Sequence, residues 1–233
     1  MSDQWEHPSP VPRPFRPAHR GNQHVRFSPL PRANLHLFST LEADASLLFE
    51  FDSTIEAICA QPDLHVYAWI DGVYFESRPD FWLRLRDGTI VIVEVKYDAD
   101  LRDPASRAHR QIRVQKAWCD ANGYVHLVLT YSVIWRNPTL LNSLRVLMAV
   151  FTADFSKKIS QARDFKESVL ELVALKPGIR ICDVERILGQ GTKDQLVRLQ
   201  VHDLIRLHVI KAGIDEVVLS PDSRLFPGRE FSQ

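Results

Sequence analysis

Residues 79–96, PDFWLRLRDGTIVIVEVK, constrain the fold of this chain more than any other stretch. Two runs rich in Val, Ile, Leu, Phe and Trp, 80–85 and 89–96, flank Asp87-Gly88, the pattern of two buried strands joined by a tight turn. Such a hairpin belongs inside a sheet, yet it begins on Asp80 and ends on Glu94 and Lys96. Buried charge is costly unless it is paired or bound to a metal. This end of the sheet is therefore either solvated or a working site.

Register decides between the two. Strand alternation puts Ile90, Ile92, Glu94 and Lys96 on one face. A two-residue Asp87-Gly88 loop pairs Leu85 with Ile90 and sets Asp80 opposite Val95, facing away. A three-residue loop, Arg86-Asp87-Gly88, pairs Leu85 with Thr89 and sets Asp80 opposite Glu94; Gly88 then occupies the left-handed bulge position that ends a type I turn. The sequence permits both registers, and a site requires the second.

In that second register two carboxylates converge, and a third from a helix over residues 39–52 can reach them. An oxygen-rich cage of this kind suits Mg²⁺ or Mn²⁺. A lysine two residues beyond a ligand can orient or deprotonate a water and steady developing phosphorane charge. Metal plus lysine is the chemistry of phosphodiester hydrolysis.

The surrounding pattern is that of a layered α/β domain. Ser39-Thr40-Leu41-Glu42 opens a helix that ends near Asp52; strands follow at 64–70 and 73–76 around Asp71-Gly72, then at 80–85 and 89–96. Asp103-Pro104 reads as the start of a helix that runs to Asn122 and stops at Gly123, and 124–131 reads as another buried strand. Helices are expected at 139–151 and 154–163. Beyond them come helices at 165–175 and 181–188, a third helix, and two strands around Gly213, which together suggest a winged helix-turn-helix. The expected organisation is a Pro- and Arg-rich extended arm (1–35), an α/β core (36–138), connecting helices (139–163) and a winged-helix-like unit (164–233).

Composition narrows the class. The 233 residues are 45% hydrophobic and 25% charged, as in an ordinary soluble protein, and no apolar run is long enough for a membrane span. The N-terminus lacks the apolar stretch of a signal peptide. Cys59, Cys119 and Cys182 fit neither a disulfide framework nor a zinc pattern, so they read as reduced residues of a cytosolic protein. His109, His126, His202 and His208 show no ligand spacing. Net charge is zero but uneven: residues 41–96 hold four basic and eleven acidic side chains, whereas 97–163 hold ten basic and five acidic. An acidic segment between basic ones suits a cation site flanked by a surface for a polyanion.

Four segments, STLEADASLLFEFD, ICAQP, RPDFWLRLRDGTIVIVEVK and ANGYVHLVLT, together resemble a known family. P-D-(13 residues)-E-V-K is similar to the signature of the PD-(D/E)XK nucleases, and the order of all four resembles the TnsA family, the endonuclease subunit of heteromeric, Tn-seven-like transposases. The likeness covers roughly residues 24–135. It implies a restriction-endonuclease-like core, a mixed sheet flanked by helices, in which Glu42, Asp80 and Glu94 bind Mg²⁺ (or Mn²⁺), the Val95 carbonyl completes the shell, and Lys96 is the catalytic lysine. It further implies cleavage of double-stranded DNA at the 5′ ends of a transposon, beside a TnsB-like DDE transposase that acts on the 3′ ends and a TnsC-like ATPase that regulates both. The protein would then be cytoplasmic and DNA-associated. Residues 139–233 have the size and pattern of that family's C-terminal part without a motif that identifies it.

Other readings of the same residues stand beside these. Ser39-x-x-Glu42 is also a capping box, and Asp44 and Glu50 compete for the ligand role. Gln61-Pro62 matches the family pattern and equally suits a polar residue pair beside a strand. Arg107, Arg110, Arg113 and Lys116 recur every three residues and can contact phosphates or form a solvated helix face. Residues 165–233 hold ten basic and ten acidic side chains, so Lys193, Arg198 and Gln200 of the third helix either touch DNA or belong to a protein-docking unit. The competing functions are a stand-alone restriction or repair nuclease, and a non-catalytic DNA- or protein-binding module on a nuclease fold.

Overall fold

The computed structural model describes residues 11–13, 23–152, 154–191 and 193–228. The chain divides into two compact units. One holds the described residues up to Arg26, with Leu35–Ala45 and Thr54–Val133; the other holds Phe27–Asn34, Ser46–Ser53 and the chain from Ile134 onward.

Two strands, β1 (His24–Ser28) and β2 (Ala33–Leu37), pair with each other and lead into helix α1 (Thr40–Phe51). β1 and the first residues of β2 fall in the segment expected to be an extended arm; Leu35 and Leu37 are buried, which gives the second strand an apolar side to anchor. The rest of that arm, residues 1–10 and 14–22, lies outside the described residues.

A four-stranded mixed sheet forms the centre of the first unit. Its order is β3 (Ile55–Ala60), β6 (Phe81–Leu85), β7 (Ile90–Lys96), β8 (Val125–Thr130). β3, β6 and β7 run antiparallel, whereas β7 and β8 are parallel. A parallel neighbour needs a crossover, and helix α2 (Arg107–Asn122) supplies it. Phe81, Leu83, Ile92 and Val93 are almost fully buried, which is why both central strands read as continuous apolar runs. Cys59, Trp82, Ile92 and Cys119 form one core cluster under α2, and all three thiols of the chain are free.

α2 starts three residues later than Asp103-Pro104 suggested. Ser106 caps it by accepting the His109 N–H at 3.3 Å, while Asp103 turns its carboxylate to the Ala105 N–H at 2.9 Å. Gly123 ends it at φ 72°. A separate ribbon, β4 (Val66–Ile70) and β5 (Val73–Ser77), closes through Asp71 and Gly72, both at positive φ, and packs on α2. A short helix α3 (Tyr131–Ile134) follows β8.

The second unit contains α4 (Pro138–Met148), α5 (Phe155–Arg163), α6 (Lys166–Leu175), α7 (Ile181–Gly189) and α8 (Asp194–Arg206). A small antiparallel sheet of order β10 (Ile210–Lys211), β11 (Arg224–Pro227), β9 (Ile179–Arg180) accompanies them. The hairpin expected around Gly213 does not form. Gly213 sits at φ 58° and its carbonyl takes the N–H groups of Glu216 and Val217 at 3.1 Å, so the chain turns there and β10 finds its partner in β11 instead. Gln200 is only 2% exposed, Arg198 makes a two-pronged ion pair with Glu185 (2.8 and 2.7 Å), and the Lys193 ammonium lies over the Phe165 ring. Gln200 is thus closed off, whereas Lys193 and Arg198 have partners within their own unit but stay exposed. Among the described residues no helix is long and apolar enough to cross a membrane.

Candidate active site

Of the two hairpin registers, the chain adopts the three-residue one. Arg84 pairs with Ile90 and Phe81 with Val93, and the Leu85 N–H donates to the Thr89 carbonyl at 2.9 Å. Gly88 takes φ 87°, the left-handed region that this loop requires and glycine adopts without strain. Extended by one step, the register brings Asp80 level with Glu94. Asp80 leaves the regular ladder there: its N–H donates to the Val93 carbonyl (3.1 Å), and its carboxylate accepts the N–H of Val95 (2.8 Å).

Two glutamines organise the carboxylates. Gln61, at the end of β3, donates from Nε2 to Glu42 Oε2 (2.8 Å) and to Asp80 Oδ1 (3.4 Å), while its backbone N–H donates to the Asp80 carbonyl at 2.7 Å. Its φ of 49° is uncommon for a residue with a side chain, and this doubled link to Asp80 holds it there. Gln115, fully buried on α2, donates to Glu94 Oε2 (2.6 Å) and Ser77 Oγ (3.0 Å) and faces His126 Nε2 with its oxygen (3.0 Å). Lys96 ion-pairs with Glu94 through Nζ and Oε1.

Glu42 makes the capping contacts and also meets Gln61. Its carboxylate accepts Ser39 Oγ (2.9 Å) and the Phe38 N–H (2.9 Å), and its own N–H donates to Ser39 Oγ (3.1 Å), a capping box shifted by one residue. The same carboxylate accepts Gln61, which joins it to Asp80. Asp44 and Glu50 are buried, but neither shares that link, and Glu50 belongs to the other unit.

Charge is unbalanced across this cluster. Burial, then the nearby Glu94 and Glu42 carboxylates, push the Asp80 pKa well above the usual carboxylate range, against the opposing pull of the Val95 N–H and Lys96. Burial works against the Lys96 ammonium, but Glu94 first and Asp80 after it leave its pKa raised. Burial, with the Arg78 charge, lowers the Arg13 pKa, against the attraction of Asp80, Asp63 and Glu42.

Among the described residues no group of three His, Cys, Asp or Glu side chains is arranged to hold one metal ion. Mg²⁺ does not require such a cage, since one or two carboxylates with water and substrate phosphate suffice. The chemistry of the donor set is compatible with it, since Asp80 and Glu94 offer carboxylate oxygens and share the neighbourhood of Val95.

The basic face of α2 is exposed, and three of its four members have local partners. Arg113 grips Asp71 (3.1 and 3.0 Å), Lys116 holds Asp120 (2.8 and 2.9 Å), and Arg110 lies 5.0 Å from the Phe75 ring centre. The four histidines without ligand spacing face oxygens: His109 the Leu101 carbonyl, His126 Gln115, His202 the Leu147 carbonyl, His208 the Phe51 carbonyl. Gln115 and Arg13 were not among the residues expected at the site. Nothing in the sequence distinguishes Gln115 from the polar positions around it, and Arg13 lies in a stretch without periodicity. No protein-family model matches the chain, and no curated protein matches it.

Proposed function

We propose that this protein is a metal-dependent DNA endonuclease of the PD-(D/E)XK kind, acting as the TnsA-like subunit of a heteromeric transposase. The observation that carries the reading is the Val95 N–H bond to Asp80, between Glu94 and Lys96, with Glu42 joined through Gln61. Asp80 and Glu94, with the Val95 carbonyl, are the groups that would hold Mg²⁺ or Mn²⁺; Glu42, expected as a third ligand, is not arranged with them around one ion and reaches Asp80 through the Gln61 amide. When bound, the ion supplies Lewis acidity at a phosphoryl oxygen.

The chain's own residues have distinct tasks. Lys96 ion-pairs with Glu94, which places its ammonium where it would stabilise negative charge building on the phosphorane. Gln115 fixes the Glu94 carboxylate from the α2 side. The exposed cations of α2 contact DNA phosphates. The order helix, strand, helix, helix, strand, strand from α6 to β11 supports a winged-helix-like module, and the internal engagement of Gln200 and Arg198 favours a protein partner for it over base reading.

The test is cleavage of labelled double-stranded transposon ends in Mg²⁺ or Mn²⁺, by wild type and Asp80→Ala, with and without a TnsB-like transposase. The reading expects 5′-strand cutting that needs the partner and disappears in the variant. Equal cutting by the variant would remove the site. Specific cutting by the isolated chain would favour a stand-alone nuclease.

A further inference from the structure

We propose that Arg13 is a positioning residue of this site: its guanidinium sets the orientation of the Gln61 amide and, through that amide, the carboxylates of Glu42 and Asp80. What the positioning serves rests on the nuclease reading; the contact itself does not.

Residues 11–13 run along residues 61–63. Pro12 and Pro62 form an antiparallel bridge, the Asp63 N–H donates to the Val11 carbonyl (2.8 Å), and the Arg13 N–H donates to the Gln61 carbonyl (2.9 Å). The backbone is therefore tied on both sides of Pro12. From that anchor the Arg13 guanidinium donates to Gln61 Oε1 and lies 5.8 Å from the Phe38 ring centre.

A glutamine amide is nearly symmetric in shape, and its two ends differ only in what they can bond. Here Nε2 faces Glu42 and Asp80, which only accept when ionised, and Oε1 faces Arg13, which only donates. Reversed, the amide would turn its oxygen to two carboxylates and its hydrogens to a guanidinium. Both ends thus select one orientation, and both bonds are charge-assisted, through the guanidinium at the oxygen end and the Glu42 carboxylate at the nitrogen end. Without Arg13 the amide keeps only its carboxylate end, and Glu42 and Asp80 lose a fixed bridge.

The test is a double-mutant cycle of Arg13→Ala and Gln61→Ala, with Arg13→Lys added, in the full chain. Arg13→Ala is expected to lower kcat by about 10–100-fold, the usual effect of removing a group that orients a ligand, with KM for DNA within about twofold. In the Gln61→Ala background the same change should cost less than about threefold, and Arg13→Lys should recover part of the loss. A second readout needs neither DNA nor metal: the Gln61 side-chain amide resonance should shift and exchange faster with water in Arg13→Ala.

Multiplying losses in the double variant would overturn the proposal. So would a fall of about one phosphate contact in the salt dependence of DNA binding by Arg13→Ala, measured in EDTA, because Arg13 would then be a DNA contact. If wild type cuts no DNA under any condition, the nuclease reading fails, and the amide resonance alone decides on Arg13. An unmoved resonance overturns the link.

Discussion

The carboxylate of Asp80 accepts the backbone N–H of Val95 at 2.8 Å, and Val95 is the residue that separates Glu94 from Lys96. One hydrogen bond thereby brings a side chain from the start of β6 to the end of β7. That bond favours the ionised form of Asp80, yet burial and the carboxylates of Glu94 and Glu42 outweigh it. The end of the sheet is thus held together at a cost in stability.

Asp80→Asn should expose that cost. The folded pKa of Asp80 lies above the unfolded value of about 3.9. Its contribution to stability is therefore fully present below that value and is lost as pH rises through the folded pKa. The slope for one group is at most ~1.4 kcal/mol per pH unit. Lys96 is also raised, but its contribution is lost only above about pH 10 and leaves this window untouched. Urea unfolding from pH 4 to 8 should show wild type losing stability relative to Asp80→Asn, which gains at neutral pH while losing cleavage. Parallel curves would mean that Asp80 is not destabilised by its neighbours.

Gln115→Leu is expected to destabilise the first unit by ~2–3 kcal/mol. The change leaves Glu94 Oε2 and Ser77 Oγ without their donor in a site where neither reaches water freely. Gln115→Glu should cost more, because it adds a carboxylate facing Glu94. Urea midpoints of the two variants check both the size and the order.

Gly88→Ala should cost ~1–2 kcal/mol, since Gly88 holds φ 87° and an L residue is strained there even with open space around its Cβ. Gly88→Asn should cost less, because asparagine tolerates that region. An equal loss for both, measured by urea unfolding, would point to the side chain rather than the backbone. Cleavage should follow stability, because the register sets the position of Asp80.

The central hairpin was legible because buried strands announce themselves as apolar runs, and the charges at its end stood out against them. Its register was not, since Arg86-Asp87-Gly88 and Asp87-Gly88 are both acceptable loops and only the Leu85–Thr89 bond separates them. β3 escaped notice because IEAICA is short and wedged between a helix end and Gln61-Pro62. Glu42 carried two signals, the cap and a candidate site; its carboxylate accepts both Ser39 Oγ and the Gln61 amide. Gln200 reads as an exposed helix position from its chemistry alone; its burial depends on what packs against α8, which no local pattern reports.

On the basic face of α2, two cations have carboxylate partners. Arg113 with Asp71 and Lys116 with Asp120 are exposed pairs, and such pairs contribute about 0–1 kcal/mol. Replacing Arg107, Arg110, Arg113 and Lys116 by Gln should therefore leave the fold intact and shift the urea midpoint little. If these cations contact DNA, each lost phosphate contact lowers the slope of log K against log salt by about 0.9. Asp71 and Asp120 compete for two of the four, so a fall of about two contacts is expected rather than four, with Arg107 and Arg110 carrying it. Binding isotherms in EDTA at several salt concentrations measure the slope without cleavage. An unchanged slope would assign these residues to holding the β4–β5 ribbon on α2, where Arg113 and Arg110 already meet Asp71 and Phe75.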